Sequence, residues 1–219
     1  MKTATNPKRT TEYFSEHGQD RWLYENLFKD KREGIYVEAG ALDGLFHSNT
    51  LFFEREMGWT GLLIEANPAF LGNLYSHRPD NVLVSCALGS ELGVQPFRIF
   101  TNAPIGWSGL HSTFSGRRLE DIRARAPDAF AATATICVQT RTLIGVLRES
   151  FVGEVDFLSL DVEGAEYDVL MDYPFEEIPI DVIMVEDNYQ DDLRTANLLK
   201  ANGYEHVIRL GNDEVWKRK

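Results

Sequence analysis

The chain has 219 residues, of which 43% are hydrophobic and 26% charged, and 34 acidic against 22 basic residues give a formal net charge of −12. These proportions are those of a globular protein and exclude disordered, collagenous and low-complexity chains. A chain this acidic repels phosphate backbones, which excludes nucleic acid as a substrate, and the absence of an apolar signal or an 18-residue apolar run predicts a cytoplasmic protein without a membrane span.

The first half of the chain begins with a polar stretch and then alternates between apolar runs and helical patterns. Residues 1–11 predict a loose tail, and apolar residues at helical spacing predict a helix over residues 15–29. Short, continuous apolar runs are typical of strands buried on both faces, as in a parallel sheet. Such strands are predicted over residues 35–37, 62–64, 82–84, 155–160 and 182–185.

Helical patterns separate most of these strands. They cover residues 49–57, 68–77, 142–151, 165–173 and 191–202. Residues 204–210 and 214–217, on either side of a turn, predict a closing β-hairpin. Strands that alternate with helices predict an α/β fold with a doubly wound, mostly parallel sheet and an antiparallel C-terminal hairpin.

One stretch interrupts the alternation. Within residues 90–139 we expect a strand at 94–100, a turn-rich loop, a charged helix at 117–125 and a strand at 136–138. The stretch is too long for an ordinary connection, so it predicts an insertion in a single domain of residues 1–219, acting as a lid or acceptor wall. Cys86 and Cys137 lie in apolar stretches and are expected to be reduced thiols in the core.

Four of the five strands run into a carboxylate at their ends. These residues are Glu38, Glu65, Asp161 and Glu186. In open α/β sheets ligands bind beyond the carboxyl ends of the strands. Four acids at one edge repel an anionic cofactor and suit hydroxyl donors, a cation or a metal.

The turns after these strands carry further signals. Gly40 allows a tight turn, Asp43 continues the loop, and Ser48 or Asn49 can cap the next helix. Glu65 is placed to accept hydrogen bonds from both ribose hydroxyls of a nucleoside. Ala66 and Asn67 follow it in a turn that would lie against a base, and Asp161, Glu163 and Glu166 cluster at the end of the fourth strand.

Five motifs in order resemble FkbM-type S-adenosylmethionine-dependent methyltransferases. They lie at residues 18–20, 36–41, 48–50, 59–68 and 161–166. The resemblance implies a Rossmann-like, seven-stranded methyltransferase sheet with a reversed last hairpin. It implies that Glu38 and Gly40 border the methionine end of the cofactor, that Glu65 holds its ribose, and that Cys86, Ala87 and Asp161 flank its adenine and sulfonium side. The cofactor site expected on this basis comprises Glu38, Gly40, Ala41, Asp43, Ser48, Asn49, Glu65, Ala66, Asn67, Cys86, Ala87 and Asp161.

The resemblance further implies O-methylation of a hydroxyl on a small molecule, sugar or glycolipid. A hydroxyl acceptor needs a base that works near neutral pH. The candidates are Asp161, Glu163, His111 and His47, and His111 lies inside the insertion.

Asp161 has three open roles, which are to take the acceptor proton, to hold a metal or to fix the cofactor. As a metal ligand it would act with Asp187 and Asn188, whose oxygen atoms suit Mg²⁺ or Mn²⁺. Two other functions remain open for the chain. One is a nicotinamide-dependent oxidoreductase, which would also use Gly40 and Glu65, and the other is a non-catalytic interaction module with the methyltransferase fold.

Overall fold

The computed structural model describes residues 11–114, 116–150 and 152–219, so the tail expected at residues 1–11 lies outside the described residues except for Thr11. Eleven strands occur in this part of the chain. They are β1 (Ile35–Ala39), β2 (Thr60–Ile64), β3 (Val82–Val84), β4 (Ala87–Leu88), β5 (Gly93–Phe100), β6 (Gly109–Leu110), β7 (Thr133–Arg141), β8 (Val155–Leu160), β9 (Ile180–Glu186), β10 (Tyr204–Leu210) and β11 (Asp213–Arg218).

Seven α-helices connect or flank these strands in the described residues. They are α1 (Gln19–Leu23), α2 (Leu51–Met57), α3 (Pro68–His77), α4 (Gly116–Arg125), α5 (Leu143–Glu149), α6 (Glu166–Leu170) and α7 (Arg194–Ala201). Among the described residues, no helix has the length and apolar character that crossing a bilayer requires.

The large sheet contains seven strands in the order β10-β11-β9-β8-β1-β2-β3. The pairs β1–β2, β1–β8, β2–β3 and β8–β9 are parallel, whereas β11 runs antiparallel to both β9 and β10. The predicted α/β sheet with its antiparallel C-terminal hairpin is therefore confirmed. Its parallel strands carry the carboxyl ends of β1, β2, β8 and β9 to one edge.

Both faces of this sheet are buried, which explains the continuous apolar runs. Consecutive residues of a strand face opposite sides of the sheet and therefore belong to different core clusters, as Tyr36 and Val37 of β1 do. The cluster around Val37 packs against α5, α6 and α7, and the cluster around Tyr36 packs against α1, α2 and α3. Helices on both faces hold the strand ends rigidly at one edge.

The first helix differs from the one predicted over residues 15–29. It begins only at Gln19 and continues after Leu23 as a π-helical turn, Tyr24–Phe28. Gly18 has a left-handed φ of 78°, and the Asp20 carboxylate accepts hydrogen bonds from Ser15 and from the amide of Phe14. These hydrogen bonds hold residues 14 and 15 in a non-helical turn before α1.

The insertion folds as a second sheet with the order β4-β7-β5-β6, together with α4. It begins and ends slightly outside residues 90–139, because β4 pairs with the end of β7 at Thr140 and Arg141. The prediction that Cys137 lies in the core is wrong: Cys86 is buried, but Cys137 is exposed. The reason is that β7 has an alternating burial pattern, with one face open to solvent.

Candidate active site

Two adjoining cavities lie at the carboxyl edge of the large sheet. The larger is a cleft of about 1210 Å³ that extends from the ends of β1, β8 and β9 to α4. The smaller, of about 70 Å³, lies beside the ends of β2 and β4. Five residues line both cavities where they meet, namely Gly40, Leu42, Gly106, Asp161 and Glu163.

Gly40 brings the turn after β1 against the end of β8. Its φ of 87° is left-handed, and a side chain there would collide with the backbone carbonyl of Asp161. The amide of Asp161 donates to the carbonyl of Ala39 at 3.1 Å, which fixes the same approach. Glycine is therefore required because the two strand ends pack backbone to backbone.

Glu38 is buried and accepts hydrogen bonds from the segment that precedes α2. Its carboxylate accepts hydrogen bonds from the Ser48 and Thr50 hydroxyls and from the amide of Asn49 at 2.7 Å. Ser48 in turn accepts from the amide of Leu51, so it caps the helix start. Glu38 lines the larger cleft, but its oxygens are already engaged by the chain.

A buried arginine supports this segment from behind. Arg78 is 0% exposed and donates to Glu54, to the carbonyl of Gly44 and to the hydroxyls of Tyr36 and Thr50. An arginine buried at this depth is stable only when its donors are paired. The network holds the loop after β1 in place, and the sequence motifs gave no indication of it.

Glu65 closes the smaller cavity. One of its oxygens accepts from the amide of Leu42 at 2.9 Å and the other from the amide of Asn67 at 2.6 Å. Burial raises the pKa of Glu65, and these backbone hydrogen bonds oppose the rise. Ala66, Cys86 and Ala87 line the same cavity, so β2 and β4 bring these predicted residues together.

A group of three carboxyls lies at the junction of β8 and β9. The oxygens of Asp161, Glu166 and Glu186 lie within 4.8 Å of one another. Glu166 is oriented by the amides of Val162 at 3.0 Å and Gly164 at 3.1 Å. Asp161 Oδ1 is buried and has no hydrogen-bond partner in the described chain.

Burial and mutual repulsion raise the pKa values in this group. The pKa of Asp161 lies well above its ordinary value because of burial and the charges of Glu163, Asp213 and Glu166, although a hydrogen bond with Glu186 opposes the rise. Burial and repulsion from Asp161 and Glu166 likewise raise the pKa of Glu186. Carboxyls this close to one another repel when they are ionised. They therefore release their protons at a higher pH than isolated carboxyls do.

Glu163 connects this group to the insertion. It adopts a left-handed φ of 61°, and its carboxylate accepts a 2.8 Å hydrogen bond from Arg118 of α4. Arg118 also donates to the carbonyl of Trp107 and to the hydroxyl of Thr113. The insertion is thereby attached to the turn after β8, above the cavity junction.

Other predicted residues lie elsewhere or are otherwise engaged. Asp43 lines neither cavity, and its carboxylate accepts from the amides that follow it, at positions 45 and 46. His111 also lies outside both cavities, with its exposed ring 2.5 Å from Arg98. His47 lines the cleft mouth and pairs with Glu16 at 3.5 Å.

The predicted metal ligands Asp161, Asp187 and Asn188 all line the larger cleft. Among the described residues, the carboxylates close enough to share an ion are Asp161, Glu166 and Glu186, and Asp187 is not one of them. Asp187 accepts from the amide of Tyr189, and Asn188 accepts from the side chain of Asn212. A metal site formed by Asp161, Asp187 and Asn188 therefore has no support.

The model of a known protein family matches most of the chain, including the carboxyl edge of the large sheet. Residues 38–206 match the model of the methyltransferase FkbM domain. The chain belongs to this family. The FkbM resemblance of the sequence motifs is thus confirmed, and the match includes the carboxyl ends of β1, β2, β8 and β9.

The similar proteins have low sequence identity to this chain. Methyltransferase sdnD of Sordaria araneosa is 29% identical over 178 residues, which are 68% of this chain and 67% of that protein. The crystal structure of methyltransferase FkbM from Methylobacillus flagellatus KT has a TM-score of 0.51 at 14% identity, over 84% of this chain. The alignment covers only 43% of that solved chain. At this identity the likeness shows the fold.

A further neighbour is Aeropyrum pernix fibrillarin, solved in complex with natively bound S-adenosyl-L-methionine. Its TM-score is 0.48 at 11% identity, over 93% of this chain and 73% of that one.

Proposed function

We propose that this chain is an S-adenosylmethionine-dependent methyltransferase that methylates a hydroxyl group of a small molecule, sugar or glycolipid. One observation carries the proposal: a buried carboxylate oxygen without a partner, Asp161 Oδ1, at the junction of two cavities in an FkbM family chain. Such an oxygen is costly unless a ligand completes it.

The donor groups at this edge fit the cofactor. Asn49 Oδ1 is a second buried oxygen without a partner in the described chain, and like Asp161 it lines the larger cleft. The Asn49 oxygen suits the ammonium group of S-adenosylmethionine, and the Asp161 oxygen is left for the hydroxyl of the acceptor. Glu65 suits its ribose hydroxyls, and the mainly apolar lining around Phe70 and Ala87 suits its adenine. Glu38 would shape the loop rather than contact the cofactor.

When bound, S-adenosylmethionine supplies a methyl group on a positively charged sulfonium. The chain then has to hold the acceptor in line and remove its hydroxyl proton. Asp161 is our candidate for the base, because it lies at the junction of the two cavities and one of its oxygens has no partner in the described chain. Burial and the neighbouring carboxyls raise its pKa, which makes its carboxylate a stronger base. Glu163 is less suited, because Arg118 already engages its carboxylate, and His111 lies outside both cavities.

Calorimetric titrations with S-adenosylhomocysteine and with NAD test the proposal against its two alternatives. We expect S-adenosylhomocysteine to bind at a single site and NAD to give no heat. Binding of NAD alone would favour an oxidoreductase. Binding of neither would favour an interaction module, and either result would overturn the proposal.

A further inference from the structure

Helix α4 contributes three arginines and one acidic residue, Asp121, to the larger cleft. Its ten residues include four arginines, in a chain with a net charge of −12. Arg117, Arg118 and Arg125 line the larger cleft, whereas Arg123 does not. The cleft therefore has an acidic floor at Asp161 and a basic side, and a ligand of matching charge distribution would bind along it.

Two of these three arginines are already paired with carboxylates of the chain. Arg118 donates to Glu163, and Arg117 pairs with Asp191 while its guanidinium lies 4.6 Å from the ring centroid of Tyr189. Their charges are therefore largely compensated before a ligand arrives.

Arg125 is the exception among the cleft arginines. No carboxylate lies within ion-pair distance of it in the described chain, although acidic residues outnumber basic ones. Its guanidinium lies 4.6 Å from the centre of the Trp107 ring. Stacking on an indole orients the planar guanidinium and leaves its N–H edge available to donate.

Arg125 is also within electrostatic reach of the cleft floor. Burial raises the pKa of Glu163 most strongly, and the charge of Arg125 is one of those that oppose the rise. The same cleft exposes the aromatic surfaces of Trp107 and Tyr189, and Ile105 stands at its mouth with 57% of its surface exposed. These surfaces suit a planar, partly apolar molecule with one negative end.

We propose that the acceptor is a hydroxy carboxylic acid with a planar ring, whose carboxylate binds Arg125 against Trp107 and whose hydroxyl reaches Asp161. A single guanidinium carries one positive charge and a two-pronged donor edge, which matches a carboxylate in charge and shape. This inference rests on the proposed function, because it assigns the second substrate of the same site. It makes Arg125 a specificity-determining residue.

The test compares matched acids and amides. Wild type is titrated with 3- and 4-hydroxybenzoate and with the corresponding hydroxybenzamides, each with and without saturating S-adenosylhomocysteine. We expect at least one acid to bind about tenfold more tightly than its amide, since a charge-assisted pair is lost in the amide. Arg125→Gln should abolish this preference, and Arg123→Gln, a change on the same helix outside the cleft, should keep it.

The outcomes separate this inference from the proposed function. If S-adenosylhomocysteine binds but no acid is preferred over its amide, or no probe binds, the inference is overturned and the proposed function stands. A preference that survives in Arg125→Gln also overturns it. If S-adenosylhomocysteine fails to bind, the proposed function fails, whatever the acids do.

Discussion

Glu65 and Asp161 both follow strands of the large sheet, but the chain uses their carboxylates differently. Each Glu65 oxygen accepts a backbone amide, so the side chain is held in place before any ligand binds. Since a carboxylate oxygen has two lone pairs, Glu65 can still accept from a ligand hydroxyl. Asp161 instead keeps one buried oxygen without a partner. The fixed carboxylate of Glu65 suits ligand binding, and the free oxygen of Asp161 suits proton transfer.

The change Glu65→Gln tests the binding role. It keeps the size of the side chain but leaves one acceptor oxygen and no charge. We expect the Kd for S-adenosylhomocysteine to rise by about tenfold, because a charge-assisted hydrogen bond to a ribose hydroxyl is lost. Calorimetry measures the change, and Glu91→Gln, at an exposed position, is the control. An unchanged Kd in a folded Glu65→Gln protein would remove Glu65 from the cofactor site.

The change Asp161→Asn tests the catalytic role. The isosteric amide cannot take a proton from the acceptor, so kcat should fall by about 10²–10⁴ while the Kd for S-adenosylhomocysteine stays within about threefold. Steady-state kinetics with any alcohol that the wild type methylates give kcat. A raised Kd with kcat preserved at saturation would make Asp161 a cofactor clamp and contradict its assignment as the base.

At the scale of elements, the feature that most affects the site is the insertion. Its helix α4 reaches the turn after β8 through Arg118, which is buried, bonds to Glu163, Trp107 and Thr113, and packs 4.3 Å from the centre of the Phe114 ring. Arg118 thus connects the loop before β6 to the turn after β8 at the cavity junction. A lid role for the insertion is our proposal from this arrangement.

Replacing that side chain should loosen the loop. In Arg118→Gln we expect the amides of residues 105–113 to exchange hydrogen several-fold faster, while the amides of β1 and β2 keep their protection. The matched control is Arg117→Gln, since Arg117 is exposed, its ion-pair partner is an exposed aspartate, and such pairs contribute little. Hydrogen exchange by mass spectrometry gives both values. Equal exchange in the two variants would show that Arg118 does not hold the loop.

The sequence best predicts the strands that are buried on both faces of the sheet. The strands β1, β2, β8 and β9 are buried on both faces, so their apolar runs are continuous and their carboxylate ends can be read directly. The first predicted helix starts four residues later than expected, because the Asp20 carboxylate bonds to Phe14 and Ser15 and holds them outside the helix.

The candidate site residues also divide into those that the sequence predicts and those that it does not. Glu65 and Asp161 are positioned by their own strands, so a rule about strand ends finds them. Arg118 and Arg125 reach the cleft only because β5 and β7 pair across a long stretch of chain. Periodicity in the sequence carries no information about such a pairing. Nor could it show that His111 would contact Arg98 outside the cleft.

At the scale of the whole molecule, the acidic edge makes folding stability depend on pH. The pKa values of Asp161, Glu163 and Glu186 are all raised by burial in the folded chain. The folded state therefore holds these protons longer than the unfolded state. Their contribution is most favourable below the ordinary carboxyl range and is lost as pH rises towards the folded pKa values.

Asp161→Asn should remove the part of this loss of stability that comes from Asp161. We expect its Tm to exceed that of wild type by about 2–4 °C at pH 8 and by clearly less at pH 5, because only the ionised aspartate is penalised. Thermal unfolding at both values measures the difference, with the exposed Asp172→Asn as a control. A Tm gain that is equal at both pH values, or absent, would contradict the assignment of a strained charge to Asp161.

We propose that S-adenosylmethionine binds across the carboxyl edge of the large sheet. The most direct measurement is a crystal structure of the chain grown with S-adenosylhomocysteine. We expect density for the ligand across the junction of the two cavities, with its ribose hydroxyls within hydrogen-bond distance of Glu65 and its sulfur in the larger cleft near Asp161. Ligand density at any other surface, with this edge left to solvent, would contradict the claim.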